Sequence, residues 1–118
     1  MPSSYDFNPN DTYNLTATIL SGATTSGEID LAGTDLCGLF MPASFTGTTI
    51  KITASNASGG TFVTVQDGLG ADFSLTVAAS KYIPVSNLAL VAGLRFIKLV
   101  SGSAEGADRV IILAARPV

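Results

Sequence analysis

Two pairs of carboxylates are the side chains with the most potential for chemistry in this chain. Asp67 and Asp72 flank the glycine-rich stretch DGLGAD, and Glu105 and Asp108 lie in the later polar stretch SGSAEGADR. Glycosidases need two carboxylates roughly 5–9 Å apart across a sugar cleft, and calcium needs about six oxygen ligands or more. Aspartate before glycine is also ordinary turn chemistry. For the first pair we therefore expect a hairpin turn, and for the second a solvated loop with a local contact between Asp108 and Arg109.

Other catalytic chemistries lack their residues. The chain has no histidine and one cysteine, so zinc and most other transition metals lack ligands, and no imidazole is present to activate a nucleophile. The apolar neighbours of Cys37 predict a buried, inert thiol, and a single cysteine cannot form an intrachain disulfide. Gly68 and Gly70 join strand to strand, without the helix N-terminus that a phosphate loop requires. We therefore expect a protein that is not an enzyme and that binds no metal and no cofactor.

The charge content argues for burial by partners. The 118 residues fit one domain, and only 13% of them are charged, against about 25% in typical soluble domains. Such a surface is typical of a chain that is partly covered in an assembly; the alternative is a monomer coated with serine and threonine. The six basic residues are scattered and the net charge is −3, so we expect no nucleic-acid partner.

The sequence also bears on the compartment. No apolar run approaches the ~20 residues that span a bilayer, and the polar N-terminus has no features of a secretion signal. The lack of a disulfide suits maturation in a reducing compartment. We therefore expect no membrane partner.

Short segments with strand-like patterns fill the chain after its first residues, with turn signals every 8–12 residues, as is typical of a sandwich or barrel. One of them, 49–54, alternates with Ile50, Ile52 and Ala54 facing inward. The sequence predicts an all-β fold, an antiparallel β-sandwich of jelly-roll type with about eight or nine short strands. The predicted strands are 14–20, 28–31, 36–41, 49–54, 62–66, 73–77, 82–85, 95–100 and 109–115.

The N-terminus is predicted to be an extended arm, residues 1–13, ahead of a sandwich domain at 14–118. The arm is polar and rich in proline and asparagine, but it carries Tyr5, Phe7 and Tyr13. Aromatic side chains on such an arm need a surface that buries them. They either fold back on their own domain or contact a partner, and the sequence leaves both possibilities open.

The closing strand is apolar on both faces, in the run VIILAA from Val110 to Ala115. In a two-layer sandwich each sheet has one inner and one outer face, so an apolar outer face implies a cover. We predict that Ile111, Leu113 and Ala115, or the alternate set, form a subunit interface.

Four stretches in this order carry a family resemblance: LFMPASFTGTTIKITAS, GGTFVTVQDGLG, AASKYIPV and AGLRFIKLVSGSAEGADRVIILAARPV. They include a Met-Pro-Ala-aromatic-Thr element, a hairpin with aspartate and glycine, an R-F-I-K-L strand and a final apolar strand that ends in Arg-Pro. In this pattern the chain resembles small structural proteins of tailed bacteriophages, from about Ile19 to Val118.

The resemblance implies a β-sandwich on the outer capsid surface of a virion, assembled in the host cytoplasm. It implies a decoration, or cement, protein that binds the major capsid protein and itself, with a homotrimer as the expected oligomer. Two alternatives stay open, because a fold alone does not select a function. One is a head–tail neck or tail component. The other is a carbohydrate-binding module, although the chain has no tryptophan for sugar stacking.

Overall fold

Two antiparallel sheets packed face to face form the domain in the computed structural model, which describes residues 13–117. A single 3₁₀ turn at Leu88–Leu90 is the helical element among these residues. The strands are β1 Tyr13–Ile19, β2 Ile29–Asp30, β3 Thr34–Phe40, β4 Thr49–Ser55, β5 Val63–Thr64, β6 Ser74–Thr76, β7 Tyr82–Pro84, β8 Phe96–Ser101 and β9 Arg109–Pro117.

The strand order is that of a jelly roll. The four-stranded sheet has the order β1-β9-β3-β7, and the five-stranded sheet has the order β2-β8-β4-β5, with β6 also paired to β4. The first four strands alternate between the two sheets, and β8 and β9 return between them, as in a pair of Greek keys. The predicted all-β antiparallel sandwich is confirmed.

The core lies between the sheets and follows the period-two pattern of the strands. In β4 the inward side chains are Ile50, Ile52 and Ala54, as predicted, and all three are buried. Their partners from the other sheet are also aliphatic. The core consists mainly of Ala17, Ile19, Ile29, Leu31, Leu36, Leu39, Met41, Phe45, Ile50, Ile52, Ala54, Leu75, Val77, Val85, Val91, Ile97, Leu99, Ile111 and Leu113.

A β-bulge interrupts β3 at Cys37. The pairing register with β9 shifts between Leu36 and Gly38, which leaves Cys37 as the extra residue. Its thiol is free and half-buried, whereas the sequence predicted a buried one. The difference has a local cause, because a bulged residue leaves the inward–outward alternation that its apolar neighbours follow.

Candidate functional site

The outer face of the four-stranded sheet is apolar and exposed. One row of paired residues crosses all four strands in the order Thr16, Ile112, Phe40 and Tyr82. Ile112 is 39% exposed, Phe40 47% and Tyr82 44%, and Val110 on the same face of β9 is 48% exposed. We call these four side chains, Val110, Ile112, Phe40 and Tyr82, the apolar face.

The next row of the sheet is made of small residues and forms a depression beside the aromatic pair. The rings of Phe40 and Tyr82 lie 4.6 Å apart between centroids, with planes inclined by 52°, which is a favourable arrangement for cross-strand aromatics. Asn14, Ala114 and these two rings line a depression of about 430 Å³. The apolar face is thus contoured rather than flat.

Gly38 permits this arrangement, because the Tyr82 ring occupies the space that a side chain at position 38 would need. A Cβ at Gly38 would stand 2.5 Å from Cζ of Tyr82 and 2.8 Å from the carbonyl oxygen of Ile83. The Tyr82 side chain could rotate away from such a Cβ, but the carbonyl oxygen of Ile83 is part of the backbone and could move only with the strand. A side chain at this position would therefore disturb the pairing of β3 with β7 and the contact between Phe40 and Tyr82.

We expect Gly38→Ala to lower the free energy of unfolding by about 2 kcal/mol, because overpacking against backbone forces the strands apart. Chemical denaturation of the purified protein measures this. The matched control is Gly27→Ala, since a Cβ there meets nothing within 4 Å. Equal stability of the two variants would contradict the packing that the structure shows.

The outer face of the five-stranded sheet is different in chemistry. The apolar side chains on this face are Val100 and Phe96, of which Phe96 is buried. The Arg95 guanidinium stacks on Phe96, 4.8 Å from the ring centroid. Phe62, next to this sheet, carries Lys98 at 4.5 Å. The other outward residues are polar or charged: Asp30, Thr49, Lys51, Thr53, Thr64, Ser74, Thr76 and Lys98. Of the two outer faces, the one formed by β1, β9, β3 and β7 therefore carries more of the exposed large apolar side chains.

The sequence prediction named Ile111, Leu113 and Ala115, or the alternate set of β9, for a subunit interface, and the structure shows which of the two sets points outward. Ile111, Leu113 and Ala115 have 0% exposure and belong to the interior, where they pack between the two sheets. The alternate residues of β9, Val110 and Ile112, point outward instead. Both sets are aliphatic, so periodicity alone could not select the outward one.

The predicted arm contacts fall almost entirely beyond the described structure. Tyr5 and Phe7 lie outside the described residues. Tyr13 opens β1, opposite Ala115, and its side chain is 48% exposed. The arm prediction therefore stays a prediction, with its last residue placed at the edge of the four-stranded sheet.

Glu105 is buried, which corrects the prediction of a solvated loop. Its carboxylate accepts hydrogen bonds from the backbone N–H of Thr46 and of Gly47, each at 2.9 Å, and from the Thr46 hydroxyl at 2.9 Å. Arg109 Nε donates to it at 3.0 Å. The carboxylate thus ties the Met-Pro-Ala-aromatic-Thr element to the start of β9. Asp108 instead accepts from the backbone N–H of Ser21.

The Glu105 site is structural rather than catalytic. Burial by itself would raise the pKa of Glu105, but the hydrogen bonds from Thr46, Arg109 and Gly47 together hold that pKa below its ordinary value. A catalytic carboxylate needs access to a substrate. Here both oxygens are engaged by the protein and the side chain has no exposed surface.

The two carboxylates of the first pair, Asp67 and Asp72, make separate local contacts. Asp67 accepts from the backbone N–H of Leu69 at 2.7 Å and closes the glycine turn, as the sequence predicts. Asp72 pairs with Lys51 at 3.0 Å, and the hydrogen bond from Lys51, aided by Gln66, lowers the pKa of Asp72. Across the described part of the chain, no group of three or more His, Cys, Asp or Glu residues could hold a metal ion.

A second depression lies between the end of β4 and the segment that leads into β8, and it has few groups that could do chemistry. It measures about 600 Å³ and Arg95 is its one charged lining residue among those described. That guanidinium already pairs with Asp30 at 3.1 Å. Between residues 13 and 117 the structure has no helix with the length and apolarity that a membrane crossing requires.

Comparisons of the chain with protein-family models, with curated proteins and with solved structures give no match.

Proposed function

We propose that this chain is a non-enzymatic structural protein of a tailed-phage virion that decorates the capsid by binding the major capsid protein and other copies of itself. The observation that carries the proposal is the apolar face, exposed on one sheet of a sandwich whose other sheet has a mainly polar surface. The resemblance of the sequence to phage structural proteins supports the location.

The apolar face is proposed as the contact between copies. β9 lies inside the four-stranded sheet rather than at its edge, so Val110 and Ile112 are central in the face and are flanked by the Phe40–Tyr82 pair. Aromatic residues with aliphatic neighbours are typical of the buried centre of an interface. The expected oligomer is a homotrimer.

The arm is proposed to add contacts with the capsid protein or a neighbouring copy through Tyr5, Phe7 and Tyr13. Each arm contributes a modest contact, and an oligomer contributes several at once. Linked contacts raise the overall affinity by about 10²–10⁴ without any new chemistry. Stable decoration then needs no single tight site.

The copy number of the protein in purified particles tests the proposed location. We expect copies on the order of hundreds per particle by quantitative mass spectrometry, because decoration follows the capsid lattice. A count of a few to a dozen would instead indicate the neck or the tail. Absence of the protein from particles would contradict both.

A carbohydrate-binding role is the second candidate, favoured by one observation. The Phe40–Tyr82 pair exposes two aromatic rings beside a depression, and exposed rings can stack on sugars. Calorimetric titration with a panel of bacterial surface glycans separates the roles. Saturable heat that Tyr82→Ala abolishes would support sugar binding and would count against a purely structural role.

A further inference from the structure

Within residues 13–117, the outer edge of β1 shows none of the features that normally protect a sheet edge. β1 is seven residues long, Tyr13–Ile19, with no charged residue and no proline. Among residues 13–117, no backbone hydrogen bond joins that free edge to another segment. A row of unpaired N–H and C=O groups recruits a further strand. The edge of β1 therefore has the chemistry of a strand-binding site.

The other sheet edges are protected. β7 has three residues and contains Pro84, which cannot donate a ladder hydrogen bond. β2 has two residues, and its Asp30 pairs with Arg95. β5 and β6, of two and three residues, share one edge of β4. Among the described residues, β1 is thus the longest edge strand without such protection.

The residues ahead of β1 have the pattern of such a strand. Residues 3–8, SSYDFN, alternate with Tyr5 and Phe7 on one side and polar residues on the other. The stretch NPND that begins at Asn8 has asparagine and proline at the first two positions of a type I turn, where both are preferred. A strand at residues 3–8 would leave residues 9–12 as a four-residue connection, which is a common hairpin length.

We propose that residues 3–8 fold back on the same chain and pair antiparallel with β1, as a fifth strand of the four-stranded sheet. The four-residue connection places Asn8 opposite Tyr13. It then places Phe7 opposite Asn14 and Tyr5 opposite Thr16. A connection this short favours pairing within one chain over pairing with a second copy, because the ends are already close.

In this register the arm enlarges the apolar face. Asn14 and Thr16 point to the outer side of the sheet, in the same rows as Ala114 and Ile112. Directly opposed residues share a face, so Phe7 and Tyr5 join that side. Phe7 then lies about 10 Å, two strand spacings, from β9, at the open end of the depression that Asn14 and Ala114 line.

The hairpin concerns the isolated chain, and it stands whether or not the protein decorates a capsid. The strand that pairs with the edge of β1 in this proposal is residues 3–8 of the same chain. The contact predicted for Tyr5 and Phe7 and the contact predicted for the apolar face would then form one continuous surface, whereas Tyr13 lies on the other side of β1.

Disulfide trapping in the full-length chain tests the pairing. In a Cys37→Ser background, the test variants are Phe7→Cys with Asn14→Cys, and Tyr5→Cys with Thr16→Cys. The matched control is Phe7→Cys with Thr18→Cys, since Thr18 shares the face but lies about 13 Å further along β1. Melting of the reduced proteins shows that all three fold alike, and intact mass with peptide mapping identifies the bridges.

Both test pairs should close within one chain, independently of protein concentration and roughly tenfold faster than the control, because only they meet disulfide geometry. Bridges between two chains would overturn the proposal in favour of strand exchange. Equal rates for test and control pairs would overturn it in favour of an arm that does not pair with β1.

Discussion

Replacing Glu105 with glutamine should destabilise the protein by about 3 kcal/mol, which lowers the melting temperature of a domain of this size by on the order of 10 °C. Glutamine has nearly the same shape as glutamate but no charge, and its NH2 group would face N–H donors where glutamate has an acceptor oxygen. At least one of Thr46 N–H, Gly47 N–H and Arg109 Nε would then lose its acceptor. A buried donor without a partner carries its full desolvation cost.

The matched control is Asp108→Asn in the same loop. It removes the same charge, but Asp108 is exposed and its contact is one hydrogen bond from Ser21 N–H that an asparagine oxygen can still accept. We expect a change within about 0.5 kcal/mol for this control. If both variants were equally stable, Glu105 would not be the tie between the two loops.

The stability difference between wild type and Glu105→Gln should depend on pH. The folded-state pKa of Glu105 lies below its ordinary value of 4.5, so the ionised group stabilises the fold fully above that value. This contribution is lost as the pH falls from 4.5 through the lower folded-state pKa. The unfolding free energies of the two proteins should therefore differ by a constant amount well above pH 4.5 and approach each other as the pH falls below it. A difference that grows on acidification would contradict the ionised, hydrogen-bonded site.

Replacing Val110 and Ile112 together with threonine should weaken self-association on the order of 100-fold. Each substitution removes apolar surface worth about 1–1.5 kcal/mol when buried, and every 1.4 kcal/mol is a factor of ten in the dissociation constant. Threonine suits a strand, and both positions are exposed in the single chain. The fold should therefore keep its stability within about 0.5 kcal/mol. Sedimentation over a dilution series measures the dissociation constant.

The matched control for this variant is Val63→Thr. Val63 is 64% exposed, more than Val110, but it lies in β5 of the five-stranded sheet. Its substitution should leave association unchanged. A loss of association in the control, or none in Val110→Thr/Ile112→Thr, would show that the contact uses a different surface.

The sequence predicts most of the fold because its strands follow simple rules. β4 alternates cleanly, and glycine-rich turns such as DGLGAD separate the strands. These signals are local and need no knowledge of distant residues. The sandwich and its nine strands were therefore within reach of pattern analysis.

The candidate site was harder to predict from the sequence because it depends on pairing between distant residues. In β9 both alternating sets are aliphatic, so the outward face is decided by which one meets the other sheet. Glu105 lies in a polar stretch that is typical of a solvated loop. The backbone N–H groups that bind its carboxylate belong to Thr46 and Gly47, which are 59 and 58 positions earlier in the chain. The bulge at Cys37 likewise appears only once β3 pairs with β9.

Hydroxyl-radical footprinting of Phe40 and Tyr82 tests the central proposal, that another copy covers the apolar face, most directly. The same purified chain is oxidised when dilute and when concentrated, with Leu69, which is 91% exposed in a turn of the other sheet, as the internal reference. We predict that oxidation of both rings falls several-fold when the protein is concentrated, whereas oxidation of Leu69 does not change. Rings that stay equally reactive throughout would contradict it.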